Sequence, residues 1–224
     1  MHCVIFATNM PVYTAAYLSI LHQLQQKDVT LVAVSKTRPA EDIRVLYDLG
    51  QRDFGENYVQ ELLSKHTSLP EDIRWHFIGH LQSNKVRQIA GFVYLIHGVD
   101  SVKLLQEISK QGQKLNRKIG CLLQVHIAQE DSKFGFDAAE LRELADQLSS
   151  FPFAQVKGLM GMATNTDNEA QIRHEFSRLR ELADLISFEH APIISMGMSN
   201  DYTVAIEEGS TMVRIGSLLF GSRN

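Results

Sequence analysis

The sequence predicts an α/β fold, a single (β/α)8 TIM barrel spanning residues 1–224, with an extra helix before the first strand. Three observations carry this reading. Eight short apolar runs alternate with helix-period patterns along the chain. Parallel neighbours need crossover connections, and a helix between successive strands supplies them. The 224 residues suit one closed barrel, and no Pro/Ser/Gly linker, charge block or low-complexity segment divides them. A doubly wound open sheet is the competing architecture, but no GxGxxG follows the first strand.

The elements follow in order. Pro11 to Lys27 reads as the extra helix, and Thr30 to Ser35 as the first strand. Pro39 suits the first turn of the next helix; Ile43, Leu46 and Tyr47 share its face and Gly50 can end it. Asp53 to Gly55 is a very short second strand, followed by a helix carrying Val59, Leu62 and Leu63. The third strand runs from Arg74 to Gly79, after which Ser83 caps a short helix with Val86 and Ile89. Phe92 to Ile96 is the fourth strand, and Asp100 or Ser101 caps the helix bearing Leu104, Leu105 and Ile108. Cys121 to Ile127 is the fifth strand. Asp137 with Glu140 three residues later forms a capping box before Leu141, Leu144, Ala145 and Leu148. Val156 to Met162 is the sixth strand, and the longest amphipathic helix follows with Ile172, Phe176, Leu179, Ala183 and Ile186. Pro192 to Met196 is the seventh strand, a short helix passes through Ala205 and Ile206, and Met212 to Ile215 is the eighth.

Composition narrows the function. The 22 basic and 26 acidic residues leave a formal charge of -4, which offers no general electrostatic grip on nucleic acid or an anionic membrane. The two cysteines, Cys3 and Cys121, have neither CxxC spacing nor a nearby histidine pair, so reduced thiols are expected rather than a disulfide or metal site. No secretory leader or bilayer-length apolar run is evident, and a cytoplasmic protein is expected.

The chemistry should gather at the C-terminal ends of the strands, with phosphate held by the loops after strands seven and eight. Those loops read Gly197-Met198-Ser199-Asn200-Asp201 and Gly216-Ser217-Leu218. Each offers a glycine for close backbone approach and a hydroxyl near a helix start, though each also fits an ordinary turn with a serine cap. Lys36 ends the apolar run of the first strand. An amine there is fixed and partly dried; drying lowers an ammonium pKa, and a neutral amine attacks carbonyls. A solvated boundary lysine is the alternative. Closure makes strand one a neighbour of strand eight, with about 4.8 Å between strands. Lys36 then stands one strand from Gly216 and two from Ser199, a span that suits a molecule with a phosphate at one end and an aldehyde at the other, such as pyridoxal 5′-phosphate. Arg214, inside an otherwise apolar strand, needs a partner. Either it pairs with a carboxylate such as Glu56, Glu207 or Glu208, or it faces the pyridine nitrogen of such a ligand.

The runs LVAVSKTRPAEDIRVLYDLGQRDFGENYVQE, WHFIGHLQSNKVRQI, EDSKFGF, GLMGMAT and SMGMSNDYTVAIEEGSTMVRIGSLLFG, covering roughly Thr30 to Gly221, resemble the pyridoxal phosphate homeostasis proteins (YggS/PROSC-like). The resemblance implies a barrel related to the alanine racemase N-terminal domain. It implies that Lys36 forms the internal aldimine, that Ser199, Gly216 and Ser217 hold the cofactor phosphate, that Arg214 faces the pyridine nitrogen and that Asn57 lines the pocket. His80, at the end of strand three, is either a further pocket residue or a hydrogen-bonded wall residue. Two positions depart from the family pattern: His126 stands where an asparagine is usual, and Gly98 where a serine is usual.

An arginine at the ring nitrogen opposes its protonation and makes the cofactor a shallow electron sink. Alanine racemase adds a tyrosine from a second β-rich domain, whereas this chain ends at Asn224, so that domain is expected to be absent. The expected role is reversible holding of pyridoxal phosphate within vitamin B6 homeostasis, with little or no turnover and possible delivery to apo-enzymes, by a monomer that binds neither nucleic acid nor membrane. A weak amino-acid racemase and a Schiff-base aldolase are the alternatives.

Overall fold

The computed structural model describes residues 12–128 and 134–221. Its sheet is a closed barrel of parallel strands in sequence order: β1 (Thr30–Val34), β2 (Asp53–Glu56), β3 (Arg74–Phe77), β4 (Leu95–Val99), β5 (Ile119–Gln124), β6 (Ala154–Met160), β7 (Ile193–Ser195) and β8 (Met212–Ile215). Closure is made by β1 against β8, from Thr30 opposite Met212 to Ala33 opposite Ile215. The helices are α1 (Thr14–Gln25), α2 (Ala40–Asp48), α3 (Val59–Ser68), α4 (Val86–Ile89), α5 (Val102–Leu115), α6 (Ala138–Ala145), α7 (Glu169–Ala183), α8 (Tyr202–Glu207) and α9 (Ser217–Phe220). The helix expected over Pro11 to Lys27 is α1; Pro11 itself lies outside the described residues, as do Cys3 and Glu130–Lys133 of the EDSKFGF run.

Strand alternation sorts the core into two parts. One face of each strand points to the helices: Leu31, Ala33, Phe54, Trp75, Phe77, Ile96, Leu123, Ile194, Val213 and Ile215 join the large outer cluster. The other face fills the barrel, where Val32, Leu95, Leu122, Met160 and Met212 pack together. Helix ends follow local chemistry. The Asp137 side chain accepts from the Ala139 and Glu140 amides while Glu140 reaches back to the Asp137 amide. Ser101 caps α5 through the Leu104 amide. Ser83 instead opens a 3-10 turn and makes no cap.

The largest displacement from expectation is β4. Its apolar signal begins at Phe92, but the Phe92 and Val93 amides still bond to Ile89 at the end of α4, and sheet pairing starts where Tyr94 N–H donates to Trp75 O. The Phe92 ring stacks on His66, with centroids 3.8 Å apart. His97 and Gly98, which look like a strand exit, are buried inside β4. Gly98 has a packing reason: a Cβ there would sit 2.8 Å from Gly79 O. Cys121 is buried, and burial pushes its thiol up to about 12, so it is inert.

Candidate functional site

Lys36 lies just past β1 and shares strand parity with the inward-facing Val32 and Val34. Ser35, of opposite parity, faces outward and its hydroxyl donates to Glu56 Oε1 at 2.6 Å. The backbone on both sides of Lys36 is pinned from α3. Lys65 Nζ donates to Ser35 O at 2.8 Å, and Thr37 N–H donates to Glu61 Oε1 at 2.6 Å. Thr37 has φ of 64°, a left-handed conformation costly for a β-branched residue, which these contacts hold in place. Lys65 also pairs with Glu56 and Glu61, at 2.7 and 2.6 Å.

The other wall comes from the end of the barrel. Ser199 Oγ accepts from Gly216 N–H at 3.3 Å, joining the loops after β7 and β8. Asp201 braces the first of these by accepting from Met198 N–H at 2.5 Å. At Gly216 a Cβ would lie 3.3 Å from both Val34 O and Val34 Cβ, so glycine opens the space between β8 and β1. Arg214 is buried in β8. It donates to Ser195 O at 2.8 Å, Ser195 Oγ at 2.6 Å and Gly161 O at 3.1 Å. Burial brings its pKa down to about 10, against the charge of Asp201. The carboxylate partners considered from the sequence are engaged elsewhere: Glu56 with Lys65, Glu207 and Glu208 with Arg173. Glu56 of β2 also points outward while Arg214 of β8 points inward, so the two face opposite sides of the barrel wall.

Lys36, Asn57, Arg214, Ser199, Gly216 and Ser217 line one pocket of about 810 Å³ at the C-terminal rim of the barrel. His80 is not among its lining residues. Its side chain is half-exposed, 2.9 Å from Asp100 Oδ2, and stacks on Phe134. His126, one of the departures from the family pattern, also lies outside the lining. Sequence reasoning missed Arg38, Met162 and Thr164, which do line it. The signal available was position alone, since Met162 and Thr164 follow β6 at the same rim. Thr164 is held by the buried Glu175 of α7, which accepts from its amide and hydroxyl at 2.6 and 2.7 Å.

The pocket thus joins a primary amine, a buried guanidinium and a glycine-opened space lined by the Ser199 and Ser217 loops. It also contains an unused acceptor: Asn57 Oδ1 is buried with no hydrogen-bond partner among the described residues. This donor set fits pyridoxal 5′-phosphate, whose phosphate, aldehyde and ring substituents call for anion donors, an amine and polar partners respectively. Among the described residues no cluster of histidine, cysteine and carboxylate groups is arranged to hold a metal, and no helix is long and apolar enough to cross a membrane.

Known proteins of this shape are similar. The family model for the alanine racemase N-terminal domain matches residues 15–224. The pyridoxal phosphate homeostasis protein of Aquifex aeolicus (strain VF5) is 44% identical over 197 residues, covering 86% of each chain. PipY of Synechococcus elongatus PCC7942, solved with PLP bound, superposes with a TM-score of 0.82 at 37% identity, over 92% of this chain and 99% of PipY. Alanine racemase from Bartonella henselae, with covalently bound pyridoxal phosphate, shares the fold at a TM-score of 0.72 and 19% identity, over 95% of this chain and 61% of the racemase.

Proposed function

Because the chain belongs to the pyridoxal phosphate homeostasis protein family, we propose that residues 1–224 act as one binding domain for pyridoxal 5′-phosphate in the vitamin B6 economy of the cytoplasm. The observation that carries this is the convergence of Lys36, Arg214 and the Ser199/Gly216 loops on one pocket. Lys36 supplies the amine that bonds to the aldehyde carbon, with loss of one water. Ser199, Gly216 and Ser217 hold the phosphate, and Arg214 faces the ring nitrogen. Asn57 offers its free carbonyl oxygen to the ligand. The cofactor brings an electrophilic aldehyde and an electron-accepting ring.

The same residues explain why holding prevails over turnover. A carboxylate at the ring nitrogen would keep it protonated; the Arg214 charge disfavours a second proton beside it. The α-carbon of a bound amino acid is then weakly activated. The protein works as a monomer that captures and releases the cofactor, and apo-enzymes that need it are the recipients.

The test has two parts. Added pyridoxal phosphate should bind with a visible absorbance change. Deuterium exchange at the α-carbon of a panel of L-amino acids should run far below the ~10 s⁻¹ typical of enzymes. Exchange at enzyme-like rates would replace this reading with a racemase.

A further inference from the structure

Beyond Arg214, the barrel interior holds a file of polar side chains that cofactor capture does not use. Arg214 Nη1 is 2.6 Å from Ser195 Oγ, which is 3.1 Å from His97 Nδ1. His97 Nε2 is 2.9 Å from His76 Nδ1, and His76 Nε2 is 2.9 Å from Asp53 Oδ1. Arg74 closes the far end on both Asp53 oxygens, at 2.7 and 2.5 Å. Asp53 and Arg74 begin β2 and β3, so the file runs from the N-terminal mouth of the barrel to the pocket at its C-terminal rim. Ser195, His97 and His76 have no exposed surface.

We propose that Asp53, His76, His97 and Ser195 are positioning residues for Arg214, and that the Asp53 carboxylate fixes one direction for every hydrogen bond in the file. A carboxylate only accepts. His76 must therefore carry its proton on Nε2 and accept at Nδ1. His97 must then donate from Nε2 and accept at Nδ1. Ser195 has one hydroxyl proton, and it goes to His97. The hydroxyl lone pairs are left facing the guanidinium, which is the orientation the 2.6 Å contact requires. The reverse order would set a bare imidazole nitrogen against the carboxylate.

The charge states agree with this geometry. Against the opposing effect of burial, Arg74 and His76 hold the Asp53 carboxyl below its usual range. Burial keeps His76 neutral despite Asp53. Burial, and after it the neighbouring His76 ring and the Arg214 guanidinium, hold His97 well below its usual range. The direction of the file concerns this chain alone, while its effect on a ligand rests on the proposed cofactor reading.

The experiment is ¹⁵N NMR of histidine-labelled protein near neutral pH without added pyridoxal phosphate, with signals assigned through His76→Gln and His97→Gln. Both rings should be neutral Nε2–H tautomers. An Nδ1–H tautomer or an imidazolium at either position overturns the proposal. Asp53→Ala should let the tautomers mix; if it fails to fold, the wild-type spectrum still decides. Ser195→Ala should weaken binding of pyridoxal phosphate about tenfold, the scale of one lost hydrogen bond, while borohydride labelling of Lys36 survives. Affinity within twofold of wild type removes the positioning role. A wild-type protein that binds no pyridoxal phosphate, yet shows both Nε2–H tautomers, defeats the cofactor reading and leaves the direction of the file standing.

Discussion

Lys65→Met probes the brace behind Lys36. Lys65 and Glu56 retain 7% and 0% of their side-chain exposure, and Lys65 bonds Glu56, Glu61 and the Ser35 carbonyl. Methionine keeps the stem and removes every one of these donors. Breaking a buried pair from one side strands the remaining charge, at a cost of about 3–5 kcal/mol. For a chain of this size, at roughly 2–4 °C per kcal/mol, Tm should fall by about 10 °C. Burial already raises the Glu56 pKa against the pull of Lys65. Without Lys65 the carboxyl takes up a proton more readily, so the deficit should shrink as pH falls toward 5. Glu56→Gln in the same background should recover about 2 kcal/mol relative to the sum of the single changes. Thermal and denaturant unfolding of the four proteins measures all of this. A loss under 1 kcal/mol for Lys65→Met, or strict additivity, would show that the cluster does not act as a buried charge pair.

Leu95→Ala removes an interior side chain with no exposed surface and should cost about 2–5 kcal/mol by denaturant unfolding. Gly216→Val should weaken pyridoxal phosphate more than unphosphorylated pyridoxal in a binding titration, because its Cβ would press on Val34 beside the phosphate cradle. Stability should fall between pH 6.5 and 5.5. His76 and His97 have depressed folded pKa values, so the unfolded chain binds more protons below about 6.5. Each contributes up to about 1.4 kcal/mol per pH unit, and together they outweigh the opposite slope of Glu56. Flat stability across that window would contradict their buried, neutral state.

Much of this was legible from residue spacing. The eighth strand occupies its expected residues, the Asp137/Glu140 box is formed, and Lys36 and Gly216 meet because a closed barrel makes its first and last strands neighbours. What escaped was side-chain parity in strands that carry polar residues. Asp53, His76, His97 and Ser195 sit on the inward face of β2, β3, β4 and β7, but strands of three to five residues offer too short an alternation to fix which face a polar residue takes. For Arg214 the sequence offered a carboxylate or a ligand ring nitrogen as partner, and not the serine and carbonyl oxygens that accept from it inside the barrel. The third strand ends at Phe77, so His80 lies three residues beyond it, where its side chain pairs with Asp100, stacks on Phe134 and is half-exposed. The fourth strand slipped because the apolar Phe92 and Val93 serve a helix end rather than the sheet.

The central claim is that Lys36 is the amine that captures the cofactor. Purified protein loaded with pyridoxal phosphate, reduced with borohydride and digested should carry its label on the peptide containing Lys36, and Lys36→Ala should lose both the label and the visible absorbance. Label on another lysine, or an absorbance that survives in the variant, would contradict it.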